Sequence, residues 1–78
     1  MPFVQVHTIE GIMSAEQRSQ LIDRITEVMV EVELRGMEQF RSDVWVQVSE
    51  HPPESWSLGG RRPTRAQIEA LFDAAPPA

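Results

Sequence analysis

The residue most clearly able to take part in a reaction is Pro2, which directly follows Met1. A methionine followed by a residue this small is usually removed during synthesis, and Pro2 would then be the amino terminus. A terminal proline carries a free secondary amine, whereas an internal proline is locked in an amide. A free α-amino group has a pKa of about 7.7–8.0, and burial lowers it further. We therefore predict a neutral general base at Pro2; the alternative is that Pro2 is merely a common second residue.

The other residue types that could do chemistry give weaker signals. His7 shares a strand face with Gln5, and we interpret it as a hydrogen-bonded sheet histidine rather than as a catalyst. The chain has no cysteine, and no cluster of His, Asp and Glu has the spacing of a metal site. We accordingly expect no metal, no cofactor and no disulfide.

The length and charge of the chain restrict its class. Seventy-eight residues make one small domain. Domains of this size usually need extra stabilisation from disulfides, a bound metal or oligomerisation, and since we expect neither of the first two, oligomerisation remains. The formal charge of −5 argues against a nucleic-acid partner, because no basic stripe is present to neutralise phosphates. No long apolar run and no leader pattern is visible, so we expect a soluble, cytoplasmic protein without membrane contact.

The first half of the sequence predicts a strand followed by a long helix. Residues Phe3 to Ile9 are rich in β-branched side chains and alternate imperfectly, as in a strand covered on both faces. Ser14 and Gln17 form a capping box, which predicts a helix from Ala15 to Leu34 with an apolar stripe. Gly36 suits the left-handed position just past the helix. The acidic face of this helix is expected to stay in solvent.

The middle of the chain predicts a second, parallel strand. Met37 to Ser42 is interpreted as an irregular connection with Phe40 as its buried anchor, and Asp43 to Glu50 alternates as a strand does. Two strands joined by one helix make a βαβ unit with a right-handed crossover. One helix covers only one face of a parallel sheet, so we expect another copy of the chain to cover the other.

The last third predicts a hairpin and a short helix. Gly59 and Gly60 are a candidate tight turn, with Arg61 and Arg62 directly after it. A second capping box, Thr64 with Gln67, opens a predicted helix over residues 66–74. The apolar side chains of this helix are Ile68, Leu71 and Phe72.

Taken in order, these features resemble the 4-oxalocrotonate tautomerase family. The resemblance rests on Met1-Pro2, the Gln5-x-His7 pair, Glu10-Gly11 and the run from Pro53 to Gly60. It covers about residues 1–60 of what we interpret as a single domain spanning 1–78, with 61–78 as an extension. It implies an α/β (α+β) fold: a βαβ unit with a hairpin and a short C-terminal helix. The resemblance also implies a homo-oligomer that completes the sheet, as a hexamer built from three dimers or as a related trimer or dimer.

The resemblance further implies an isomerase. In the family the amino-terminal proline is a general base for keto–enol tautomerisation, a role that falls here to Pro2. The substrate would be a small 2-oxo or 2-hydroxy-dienoate acid, or an aryl enol. Trp56 matches the family aromatic that shapes an apolar pocket, and it would also serve as a hydrophobic anchor for the hairpin.

Two departures from the family pattern concern substrate binding. The family's two carboxylate-binding arginines correspond here to Ile12 and Trp45, neither of which can hold a carboxylate. Arg61 and Arg62 are the nearest replacement candidates, and Arg41 is a poorer one. The pocket is therefore expected to be apolar, with at most one carboxylate contact.

The sequence leaves three other functions open. A protonated Pro2 could serve as the acid in hydrolytic dehalogenation, and a neutral one could form an iminium with a carbonyl compound. The chain could also be an inactive member of the fold, kept as a scaffold or as a ligand-binding subunit of a hetero-oligomer.

Overall fold

The fold is seen in a computed structural model that describes residues 2–73. Two strands and two α-helices alternate with two short 3₁₀ segments. Their bounds are β1, Phe3–Ile9; α1, Ala15–Val32; a 3₁₀ segment, Glu38–Asp43; β2, Trp45–His51; a second 3₁₀ segment, Pro53–Ser55; and α2, Arg65–Glu69. None of the helices in this range has the length and apolar character needed to cross a membrane.

The two strands form a parallel pair, as the sequence predicted. The register runs from Phe3 opposite Trp45 to Ile9 opposite His51. The first strand has the predicted bounds. The second begins two residues later than predicted, because Asp43 belongs to the preceding 3₁₀ segment. The fold class, an α+β arrangement around a βαβ unit, is confirmed.

Helix α1 begins at the predicted capping box. The Ser14 hydroxyl accepts a hydrogen bond from the Gln17 N–H at 3.1 Å, and the Gln17 amide oxygen accepts one from the Ser14 N–H at 2.9 Å. The helix ends at Val32, two residues before the predicted end. Gly36, with φ of 76°, then donates its N–H to the Val30 carbonyl at 2.8 Å and closes the helix end.

One face of the sheet lies under α1. Val30 faces into this layer and is only 2% exposed. Val4 lies beside Ile25 and Met29 of the helix, and Arg18 forms an ion pair with Glu50 of β2. The helix thus covers the face of β1 that carries Val4 and every second residue after it.

The opposite face of the sheet is open. Phe3 and Trp45 lie there side by side and are 55% and 62% exposed. The prediction that Phe40 is a buried anchor is wrong, since its side chain is 41% exposed in this chain. The 3₁₀ segment that carries Phe40 lies at the edge of a small core, where one chain has too few apolar groups to cover the ring.

The hairpin and the second capping box are both present after β2. Leu58 and Arg61 exchange backbone hydrogen bonds of 2.7 and 3.2 Å around Gly59 and Gly60, which have φ of 65° and 97°. Helix α2, however, is a single turn that ends at Glu69, whereas residues 66–74 had been predicted as helix; residue 74 lies outside the described range. Of the three apolar residues assigned to the predicted helix, Ile68 is buried within α2, whereas Leu71 and Phe72 lie beyond its end and are exposed.

Candidate active site

Pro2 is buried at the point where both strands begin. Its carbonyl accepts a hydrogen bond from the Trp45 N–H at 3.0 Å, which ties it to the first residue of β2. The rings of Phe3 and Trp45 meet edge to face, with centroids 6.4 Å apart. The structure thus brings Pro2 and one of the predicted binding residues, Trp45, together.

A ladder of polar side chains follows on the open face of the sheet. Gln5 donates to the Gln47 amide oxygen at 3.2 Å. One step further, His7 Nδ1 and His51 Nε2 lie 3.0 Å apart, with the rings stacked at 5.3 Å. This arrangement confirms the interpretation of His7 as a hydrogen-bonded sheet histidine. Its partner His51 was missed, although the parallel register, which pairs Ile9 with His51, puts both rings on one face.

Trp56 lies at the far end of this ladder. Its ring meets His51 edge to face at 6.0 Å, and its indole N–H donates to the His51 carbonyl at 3.3 Å. These contacts fix the half-buried ring against the end of β2 just before the hairpin. They support the interpretation of Trp56 as an anchor of the hairpin, and they leave part of the ring accessible to a ligand.

The remaining predicted binding residues lie around one groove. Ile12, Arg61 and Arg62 all line a groove of about 370 Å³ between the hairpin, the loop after β1 and α2. The other lining residues are Ile9, Leu58, Pro63, Gln67, Ile68 and Leu71. The groove is mostly apolar, and Arg61 and Arg62 are the charged residues among those that line it.

One chain does not bring all the predicted site residues together. Pro2 and Trp45 lie where the strands begin, whereas Trp56 and the groove with Ile12 lie where they end. Seven residues of β1 separate the two groups, and at the usual rise per strand residue this is about 20 Å. A small substrate cannot span that distance within one chain.

The arginines of the described chain fall into two groups. Arg18, Arg41 and Arg65 are all engaged by carboxylates. Arg24, Arg35, Arg61 and Arg62 form no ion pair within residues 2–73, and of these Arg61 and Arg62 line the groove. Arg41 in particular contacts Glu27 at 2.8 Å and Glu38 at 2.7 Å, and its hydrogen bond holds the pKa of Glu38 below its usual value. Arg41 is thus less available for a substrate than the two hairpin arginines are.

Comparison with known proteins gives a consistent result. A family model described as "Tautomerase enzyme" matches residues 2–66. A 2-hydroxymuconate tautomerase of Pseudomonas putida is 35% identical over 60 residues, which cover 77% of this chain and 87% of that protein.

Solved structures agree with the sequence matches. A 4-oxalocrotonate tautomerase isozyme of Methylibium petroleiphilum superposes with a TM-score of 0.66 at 33% identity, covering 78% of this chain and 90% of that one. TomN, a 4-oxalocrotonate tautomerase homologue in the tomaymycin biosynthetic pathway, gives 0.67 at 30% identity and covers 97% of this chain and all of its own. Within residues 2–73, no three His, Asp or Glu side chains are grouped so as to hold a metal ion. The parallel βαβ unit, the matched family model and these relatives show that the chain belongs to the tautomerase family, as a 4-oxalocrotonate tautomerase-like isomerase.

Proposed function

We propose that the protein catalyses keto–enol tautomerisation of a small 2-oxo or 2-hydroxy-dienoate acid, or of an aryl enol, with the Pro2 nitrogen as general base. The observation that carries this proposal is that Pro2, in a tautomerase-family chain, is buried where the two strands begin. Burial disfavours a charged amine, so a freed Pro2 amine there would have a lowered pKa. It would be largely neutral, and thus able to accept a proton, near pH 7.

The reaction needs only one mobile proton. The neutral nitrogen takes the proton from the enol oxygen, the oxygen lone pair forms the carbonyl, and the π electrons of the enol move toward carbon. The protonated nitrogen, or water, then delivers a proton to that carbon. The product is an isomer of the substrate, so no electrons or atoms enter or leave overall.

The complete site is proposed to lie between copies of the chain. Pro2 with Trp45 and the groove with Ile12 are at opposite ends of the sheet, so a second copy must supply one half. The open sheet face and the exposed Phe3 and Trp45 rings offer the apolar surface that such an assembly would bury. A homo-oligomer, such as a hexamer of three dimers or a smaller trimer or dimer, meets this requirement.

The substrate-binding roles follow from the chemistry of each position. Trp45, Trp56 and Ile12 would form apolar walls, and Arg61 with Arg62 would hold an anionic end. The Pseudomonas putida relative is named for 2-hydroxymuconate, which is a dicarboxylate. At Ile12 and Trp45 this chain has no charge to offer a second carboxylate, which favours a substrate with one carboxylate.

The three alternative functions differ from tautomerisation in the groups that they need around Pro2. Hydrolytic dehalogenation needs a carboxylate that activates water beside Pro2, and the ion-paired carboxylates Glu50, Glu27 and Glu38 are already engaged by arginines. Iminium formation would use the same nitrogen on a carbonyl compound. An inactive, scaffolding oligomer would keep the assembly without the base. The experiment below separates all three from tautomerisation.

The test compares Pro2→Ala with wild type in ketonisation of the phenylpyruvate enol. General-base catalysis contributes about 10²–10⁴-fold, so kcat/KM should fall by about 100-fold or more, although the variant keeps a free amino group. Pro52→Ala, at an exposed proline away from the strand starts, is the matched control and should keep its rate. Equal rates for Pro2→Ala and wild type, or a mass showing that Met1 is retained in active protein, would contradict the proposal.

A further inference from the structure

We propose that the groove between the hairpin and α2 is the specificity pocket of the enzyme, and that it selects an amphipathic monocarboxylate with an aryl or branched apolar body. The carboxylate lies at Arg61 and Arg62, and the apolar body lies between Ile12 and Leu71. This inference rests on the proposed function, because the groove serves the Pro2 of a neighbouring copy. It adds the class of substrate and the segment of the chain that recognises it.

The first argument is charge complementarity. The chain carries a formal charge of −5, and Arg18, Arg41 and Arg65 are all engaged by carboxylates. Arg24, Arg35, Arg61 and Arg62 form no ion pair within residues 2–73, and of these four only Arg61 and Arg62 line the groove. Two arginines that are adjacent in sequence, exposed and without an internal ionic partner can bind one carboxylate through charge-assisted hydrogen bonds.

The second argument concerns the walls of the groove. Apart from the two arginines and Gln67, every lining residue is apolar: Ile9, Ile12, Leu58, Pro63, Ile68 and Leu71. The Gln67 amide oxygen already accepts the Thr64 N–H at 3.0 Å as part of the capping box. An apolar cavity of about 150 Å³ holds a benzene ring, so the groove of about 370 Å³ has room for an aryl body and a short acidic chain.

The third argument is that the groove is held in shape by the contacts of α2. Ile68 is 8% exposed, and a Cβ built on Gly11 would lie 3.4 Å from Ile68 Cγ2, so the two elements are closely packed. Arg65 reaches Glu10 on the loop after β1 and Glu54 before the hairpin, each at 3.5 Å. Helix α2 is therefore tied to both of the other elements that line the groove.

The same geometry discriminates against dicarboxylates. Arg61 and Arg62, which are adjacent in the sequence, are the charged residues among those that line the groove, and the other lining residues except Gln67 are apolar, Ile12 and Leu71 among them. The second carboxylate of a linear dicarboxylate would be placed against these side chains without a partner, and burying an unpaired charge is costly. Selection of a single charge follows from this distribution of charged and apolar residues.

The test begins with binding to the full-length protein. The probe is 3-phenylpropanoate, which has the aryl body and one carboxylate but no carbonyl or enol to react. Calorimetry, with amide chemical shifts to locate the contacts, should show it binding more tightly than 3-phenylpropanamide or adipate, by about fivefold or more. Equal affinity for the three compounds, or shifts outside the groove, would overturn the proposal.

Variants assign the contacts. Arg61→Gln and Arg62→Gln should each weaken 3-phenylpropanoate binding by about fivefold or more and leave the amide unaffected. The matched control, Arg35→Gln, removes one positive charge beyond the far end of α1 and should leave the affinity unchanged. Leu71→Ala, at an exposed position where unfolding is not expected, should weaken the acid and the amide alike. If Arg35→Gln weakens binding as much as the hairpin variants do, the attraction is general and the site is not the groove.

A final comparison separates this inference from the proposed function. Pro2→Ala should abolish ketonisation and keep 3-phenylpropanoate binding, whereas Arg62→Gln should raise KM for the phenylpyruvate enol and leave kcat within about twofold. The uncharged methyl ester of that enol should react equally with wild type and Arg62→Gln. If Leu71→Ala changes the sedimentation coefficient and wild type does not bind 3-phenylpropanoate, the groove is an interface between copies and the proposal is wrong.

Discussion

At the scale of single residues, the environment of a side chain determines which of its possible roles it can fill. Pro2 is buried and its carbonyl accepts a hydrogen bond from the Trp45 N–H, and burial favours a neutral amine. Trp56 is held by the His51 carbonyl, with part of its ring still open. One residue is suited to move a proton, and the other to confine an apolar substrate.

The role of Trp56 predicts a difference between two substitutions. Trp56→Phe keeps an apolar ring against His51, whereas Trp56→Ala removes the ring and opens the site to water. We expect kcat/KM for the phenylpyruvate enol to fall by about tenfold or more in Trp56→Ala and by less than about threefold in Trp56→Phe. Steady-state kinetics with both variants measure this. Equal losses would mean that the indole N–H, rather than the apolar ring, matters.

Individual residues also show which features can be predicted from sequence and which depend on the folded structure. Pro2 and both capping boxes were recognisable because their signals are local. Phe40 was misjudged, since burial depends on how many neighbours the folded chain can supply, and a chain of 78 residues supplies few. The His7–His51 contact joins residues 44 positions apart, and only the strand register reveals it.

At the scale of elements, the segment from the hairpin to α2 is attached to the βαβ unit at a few defined points. The attachment uses Ile68 against Gly11 and the Arg65 contacts with Glu10 and Glu54. The sequence predicted both the turn and the cap of this segment but gave α2 too many residues, because a capping box marks where a helix starts and not where it ends. Its packing partner could not be derived from sequence spacing.

A matched pair of glycine substitutions tests this attachment. Gly11 and Gly60 have nearly the same φ, 100° and 97°, so alanine costs each a similar amount, about 1–2 kcal/mol. Only at Gly11 does the new Cβ meet Ile68, whereas at Gly60 it meets open space. Gly11→Ala should therefore shift the amide signals of α2, whereas Gly60→Ala should leave them in place. Unmoved α2 signals in Gly11→Ala would contradict the close packing.

The 3₁₀ segment before β2 has a pH-dependent contact. Arg41 hydrogen-bonds to Glu38 and lowers its pKa, so the paired carboxylate stabilises the folded chain above the unfolded pKa of about 4.3. This contribution is lost as the pH falls through the lower, folded-state pKa. The urea midpoint of wild type should therefore exceed that of Glu38→Gln slightly at pH 7, and the difference should shrink toward pH 3. A difference that is constant between these pH values would rule out the contact in solution.

At the scale of the whole molecule, the proposed function makes one chain half of a catalytic unit. Within residues 2–73 the buried side chains are those of Pro2, Val30, Pro53 and Ile68, while Phe3 and Trp45 stay exposed on the uncovered sheet face. The sequence predicted this incompleteness from one helix and two parallel strands. It did not reveal that Pro2 and the groove lie at opposite ends of the sheet. Under the proposed function, that separation calls for a second copy of the chain at each site.

The most direct measurement of this arrangement is complementation between two impaired chains. Pro2→Ala and Trp56→Ala chains are unfolded together in equal amounts, refolded and assayed with the phenylpyruvate enol. If each site takes Pro2 from one copy and Trp56 from another, random assembly restores about a quarter of the wild-type activity. If both residues serve a site within one chain, the mixture will be no more active than the mean of the two variants refolded separately, and the account will be wrong.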